Sequence, residues 1–207
     1  MNEITAITPQ VKDKTRCNIY VDGRFCCGLT LEATVKNRLK VGQIVTEERL
    51  AEIQLESEKS TAFDKALTHL SATRKTEKQI RTYLAGKGYL PAVVDYAVEK
   101  LRSYNFLNDG EYAEAYVETA AKRKGGRLIR MELRSKGVSD NEIDGALENL
   151  DGETELAAAK DILHKYMRGK VADVPTLQKA YRYLMSKGFD YEVAKQALAT
   201  LGNIDEE

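Results

Sequence analysis

The chain has 207 residues and a formal net charge of zero, with 31% charged and 43% hydrophobic residues, three prolines and no tryptophan. That size allows one large domain or several small ones with real cores, and the neutral total excludes a polyelectrolyte binder acting through the whole surface. Cys17, Cys26 and Cys27 are too few and too badly spaced for a disulfide framework or a zinc site, His69 and His164 stand alone, and no leader, lipidation motif or apolar run of about 18 residues is seen, so the expectation is a cytoplasmic protein with no metal, no cofactor and no membrane.

The first part of the chain reads as a small β module. Asp22-Gly23 separates two β-rich runs, Cys17–Val21 and Arg24–Gly28, and supplies the positive φ angles of a type I′ hairpin turn. Ile4–Val11 predicts a third strand, at an edge because it contains Pro9. A sheet this small needs a helix to pack on. Leu31–Leu39 is a candidate helix, Val41-Gly42 a turn, and Thr46 an N-cap with Val45 and Leu50 placed as a hydrophobic staple. Residues 1–57 are read as this module, with packing as its expected role.

From Phe63 onward the β pattern stops and repetition takes over. Lys-Gly pairs place Gly88, Gly137 and Gly188 49 and 51 residues apart. Upstream lie Ile80 and Leu84, Ile129 and Leu133, and Ala180 and Leu184, i, i+4 pairs that make one apolar helix face. Each glycine is followed by an apolar residue, Tyr89, Val138 or Phe189, the pattern of a helix end in the left-handed conformation. Lysine before it suits the negative end of the helix dipole. A further helix precedes each pair, at Phe63–Leu70, Glu111–Lys122 and Leu156–Met167. The fold expected is therefore mainly α: three tandem three-helix repeats (58–107, 108–153, 154–207) in an elongated curved array behind a small β-hairpin and helix module.

No phosphate loop, nucleophile elbow or ligand cluster is present, so an enzyme is not expected. Charge carries more information. Lys122–Lys136 holds seven basic residues and one acidic, whereas Ser139–Glu155 holds seven acidic and none basic, suggesting a surface with two electrostatic faces. Arg74, Lys75, Lys78 and Arg81 precede Gly88 by 14, 13, 10 and 7 positions, and Arg123, Lys124, Arg127 and Arg130 precede Gly137 by the same offsets. Lys122 and Arg134 extend the second set, and Arg127, Arg130 and Arg134 form a stripe away from the Ile129/Leu133 face. These ten cations are the candidate binding residues. They gather at helix N-termini, where free N–H groups also favour anions and where cations work against the helix dipole. In the third repeat the same offsets hold Val174, Pro175, Gln178 and Tyr181, so the cap persists where the cluster is lost. Gly88, Gly137 and Gly188 are read as structural caps.

Phe106–Val117 ("FLNDGEYAEAYV"), the basic turn and "IRMELRSKGV" together resemble the central pattern of the RecX family of bacterial regulatory proteins. "NIYVDGRF" and "LKVGQIVTEERL" resemble the N-terminal extension of members from Gram-positive lineages. Glu118–Ala121 is less basic than the family pattern, and the third repeat matches more loosely. The resemblance implies a non-enzymatic modulator of the RecA recombinase that binds the RecA–DNA filament in its groove, usually inhibiting ATPase and strand exchange in DNA repair and the SOS response. It also implies direct contact with single-stranded or duplex DNA in some members. A monomer is expected. The competing readings are a freestanding nucleic-acid-binding protein using the basic face of repeats one and two, and a helical scaffold for an acidic protein.

Overall fold

The structure, a computed structural model, describes residues 2–11, 13–148 and 150–202. It divides into two compact units, one comprising the chain up to Thr73 with Ile80–Phe106, the other Arg74–Gln79 with the chain from Leu107 onward.

In the first unit, β1 (Ile4–Pro9), β2 (Arg16–Val21) and β3 (Arg24–Thr30) form an antiparallel sheet in the order β1-β2-β3. Asp22 and Gly23 both take positive φ, 47° and 78°, as the two-residue turn requires. Pro9 lies on the edge strand β1 opposite Cys17. One sheet face buries Ile4, Cys17, Ile19 and Leu29 against Leu39, Val45, Leu50 and Ile53. Helix α1 (Leu31–Lys36) is capped by the Thr30 hydroxyl, which accepts from the Ala33 N–H.

Helix α2 runs unbroken from Glu47 to Ala72, with the Thr46 hydroxyl accepting from Arg49 N–H. The helices expected after Thr46 and at Phe63–Leu70 are thus one, and residues 57 and 58 lie in its middle. The reason lies in its side chains. No glycine or proline interrupts Glu47–Ala72, and Ser57 turns sideways: its hydroxyl accepts from Thr30 N–H and donates to Thr30 Oγ1. The helix serves two cores, burying Leu50 and Ile53 under the sheet and Ala62 and Ala66 farther along, where it packs on α4 (Pro91–Ser103).

Helix α3 spans Glu77–Gly86. The second unit holds α5 (Asp109–Ala120), α6 (Gly126–Ser135) and α7 (Asp140–Glu148), then α8 (Gly152–Met167), α9 (Val174–Ser186) and α10 (Tyr191–Gly202). Ala113, Val117, Ile129, Leu133 and Ile143 form the core of the first triplet. Leu163, Ala180, Leu184, Phe189 and Ala194 form that of the second.

The three Lys-Gly turns share one geometry. Gly88, Gly137 and Gly188 have φ of 86°, 91° and 87°. The N–H groups of Tyr89, Val138 and Phe189 donate to the carbonyls of Leu84, Leu133 and Leu184, closing each helix end in the manner of a Schellman motif. The lysine has a partner too: Lys87, Lys136 and Lys187 place Nζ 5.5, 5.5 and 5.2 Å from the ring centres of Tyr83, Tyr116 and Tyr183, within cation–π range.

Candidate functional site

The N-termini of α3 and α6, expected to be open to an anion, are filled by the chain itself. At α3 the Thr76 hydroxyl donates to the Lys136 carbonyl at 2.7 Å, Glu77 N–H donates to Asp109 Oδ1 at 2.9 Å, and Lys78 Nζ donates to the Ser135 carbonyl at 3.0 Å. At α6, Gly125 and Arg127 N–H donate to the Lys187 and Gly188 carbonyls at 2.9 and 3.2 Å, and Gly126 N–H donates to Glu155 Oε1 at 2.8 Å. The two joints follow one plan. The Lys-Gly turn of one repeat, with a carboxylate from the first turns of that repeat's leading helix, satisfies the orphan N–H and hydroxyl groups of the preceding repeat's middle helix.

Gly125 owes its identity to this joint. Its φ of −79° is available to any residue, but a Cβ would run into the backbone of Gly188 and Phe189. Of the two roles open to Gly125-Gly126, close approach or a sharp turn, Gly125 takes close approach, and the partner is the protein's own backbone.

Most of the candidate cations are engaged. Arg81 meets Asp95 at 2.5 Å, Arg130 meets Asp144 at 2.5 Å, Arg134 meets Asp140 at 2.6 Å, and Arg127 reaches Asp190 at 3.7 Å. The basic block on α6 and the acidic block on α7 therefore meet across the helix–turn–helix instead of forming two separate faces. The hydrogen bond to Asp140 pushes the Arg134 guanidinium above its usual range, and the same bond holds the Asp140 carboxyl below its own. Arg74 approaches the Glu111 carbonyl at 3.5 Å.

Lys124 is held most firmly. Its ammonium lies 2.6 and 2.7 Å from the two Glu132 oxygens, and Tyr116 donates to Glu132 at 2.6 Å. Burial alone would push the Glu132 carboxyl up, but hydrogen bonds from Lys124 and Tyr116 outweigh it and leave the carboxyl below its ordinary value. The Lys124 ammonium is raised chiefly by its bond to Glu132, and the Tyr116 phenol is raised chiefly by burial and then by Glu132. Tyr112 and Tyr116 pack on the core of their triplet, as Tyr181 does on its own.

Lys75, Lys122 and Arg123 differ from these. Among the described residues no carboxylate lies within ion-pairing distance of any of the three. Lys122 and Arg123 are adjacent and exposed in the turn between α5 and α6.

Sequence reasoning passed over the acidic partners. Asp95 and Asp144 each follow their repeat's glycine by seven positions, as Arg81 and Arg130 precede it by seven. In the third repeat both change together, to Tyr181 and Lys195, and Tyr181 instead meets Tyr191 edge-on at 6.2 Å. That paired periodicity was a readable signal for an ion pair within each repeat.

Family models match along the chain in the same order as these elements: the regulatory protein RecX N-terminal domain over residues 2–46, then the first, second and third three-helix domains of RecX over 62–101, 108–147 and 153–198. A regulatory protein RecX of Clostridium beijerinckii is 33% identical over 99% of this chain and 98% of its own length. This chain belongs to the RecX family. The regulatory protein RecX of Bacillus subtilis is 32% identical over 94% of this chain and 75% of its own length. A crystal structure of a regulatory protein RecX covers 95% of this chain and 98% of its own, with a TM-score of 0.71 at 29% identity. The RecX domains thus account for both the N-terminal sheet and the three helical triplets. Among the described residues no helix is long and apolar enough to cross a membrane.

Proposed function

We propose that this chain regulates the RecA recombinase by binding the RecA–DNA filament and inhibiting its ATPase, recombinase and coprotease activities, without catalysis of its own. It acts in the cytoplasm as a monomer. The observation that carries this reading is the match of all four RecX domains, in order, to a chain whose relatives are named regulatory proteins. The surface supports it. The anionic partner meets the cations that have no carboxylate partner among the described residues, Lys75, Lys122 and Arg123, while the ion-paired arginines of α6 hold that turn in place and lend it positive potential.

The test is a titration of this protein into RecA on single-stranded DNA, following ATP hydrolysis, with binding to the same DNA measured without RecA. Progressive inhibition of hydrolysis is expected at concentrations where DNA alone is not bound. Unchanged hydrolysis would refute the reading. Tight RecA-independent DNA binding that weakens steeply with salt would favour a freestanding nucleic-acid binder.

A further inference from the structure

We infer that α9 and α10 carry a docking groove for an amphipathic helix of the RecA filament, presented with its apolar side inward and a carboxylate at the rim. This rests on the function proposed above and adds a second contact, of a different chemistry, to the cationic one.

The argument comes from repeat register. In the second repeat, the surface formed by Gly126 and Leu147 is covered by the leading helix of the third: a Cβ on Gly126 would lie against Glu155, Leu150 and Leu147. In the first repeat the same helix position, Glu77, donates its N–H to Asp109 at the start of α5. Each time, a helix sits over the first turn of the middle helix. The equivalents in the third repeat are Leu177 and Leu198, and they line an open groove of about 520 Å3 with Val174, Tyr181 and Arg182. Val174 is 68% exposed, and nearby Val171 is 78% exposed.

The sequence has remade this surface. Positions that hold Arg74 and Arg81 in the first repeat and Arg123 and Arg130 in the second hold Val174 and Tyr181 in the third. The orphan N–H groups of α9 are already satisfied locally, since the Asp173 carboxylate accepts from Thr176 N–H at 2.9 Å. What the groove lacks is apolar cover, not a hydrogen-bond partner. A contiguous exposed apolar surface of this kind marks a protein contact, and an apolar groove takes a helix through side chains spaced by three or four residues. Arg182 selects the charge. It stands at the groove edge, and among the described residues no carboxylate pairs with it. An acidic side chain flanking the apolar face therefore completes the site.

The experiment compares the wild-type chain with Val174→Glu/Arg182→Glu, two positions outside the buried core, whose change leaves that core intact. Fluorescently labelled protein is titrated with RecA assembled on single-stranded DNA, and thermal melts and sedimentation velocity are run in parallel. The wild type should bind the filament, and the double variant should bind about tenfold or more weakly with an unchanged melt, as for loss of one interface anchor. Val174→Leu should bind as the wild type does. Equal binding by the double variant overturns the groove while leaving the function standing. A wild type that fails to bind the filament overturns both. Self-association of the wild type that the double variant abolishes assigns the groove to a second copy, and overturns the filament as its occupant.

Discussion

The hydroxyl of Thr76 donates to the carbonyl of Lys136, 60 residues later in the chain, at 2.7 Å, while accepting from the N–H of Gln79. Thr76 is fully buried, so both of those partners depend on it. Thr76→Val keeps the shape and removes the hydroxyl, stranding one carbonyl and one N–H. The expected loss is about 1–3 kcal/mol, the cost of leaving buried polar groups unsatisfied. Urea unfolding monitored by circular dichroism measures it, and an unchanged midpoint would contradict the joint.

The equivalent joint at α6 predicts glycine effects of opposite sign. Gly125→Ala pushes a methyl into the Gly188 backbone, and neither backbone can yield as a flexible side chain would. It should destabilise the third repeat by about 1–3 kcal/mol, as overpacking does. Gly145 lies within α7, and a Cβ added there would meet nothing within 4 Å, so Gly145→Ala should stabilise by up to about 1 kcal/mol through helix propensity. Thermal melts of the two variants should move in opposite directions.

Gly137 and Gly88 separate backbone strain from crowding. Both have positive φ, but a Cβ at Gly137 meets the Lys78 side chain whereas one at Gly88 meets nothing within 4 Å. Each alanine variant should cost roughly 1 kcal/mol for the left-handed conformation. Gly137→Ala should cost more, because Lys78 must also move. Equal melting temperatures for the two variants would show that the second joint contributes nothing.

How much of this was legible follows from the range of each interaction. The hairpin turn at Asp22-Gly23, the Thr46 cap and the three glycine ends are local, and each is written within about six residues. The RecX resemblance rested on motifs of the same kind. The unbroken α2 was not legible, because Ser57 and Thr61 look like breakers until the sheet supplies Thr30 as the partner for Ser57. The joints were hidden for a related reason: Thr76 and Lys136, or Gly125 and Gly188, meet only when one repeat stacks on another. For the cations, spacing showed that Arg81 and Arg130 repeat in register. It took the fold to bring Asp95 and Asp144 against them, which turns a candidate binding motif into one that also orders each helix pair.

The Tyr116–Glu132–Lys124 cluster predicts how stability depends on pH. The Glu132 carboxyl lies below its ordinary value of 4.5 when folded, so its contribution is present above that value and lost as pH falls through the lower folded one. The Lys124 ammonium and the Tyr116 phenol lie above their ordinary values of 10.5 and 10.0, so their contributions hold below those values and fade as pH rises past them. Neutral pH lies on the plateau. Melting temperature should fall on the acid side below about pH 4.5, and Glu132→Gln should lower the neutral plateau while flattening that acid arm. A variant retaining the wild-type pH profile would exclude the cluster as its source.

The last prediction sorts the cations by whether the fold already uses them. Arg130 is held by Asp144 and its side chain is only 34% exposed, so Arg130→Ala should act first on stability, by about 1 kcal/mol or less for a largely solvated pair. It should affect filament inhibition only as far as the α6–α7 pair loosens. Lys122 and Arg123 have no such partner among the described residues and are exposed in the turn. Lys122→Glu/Arg123→Glu should leave the melt within about 0.5 kcal/mol of wild type, as surface changes do, while weakening inhibition of RecA ATPase by roughly tenfold or more through reversed charge at an anionic partner. Dose–response curves for the two variants, each set beside its own melt, decide the matter. If the Arg130 variant loses inhibition at full stability while the turn variant keeps it, the paired arginines and not the exposed turn meet the filament.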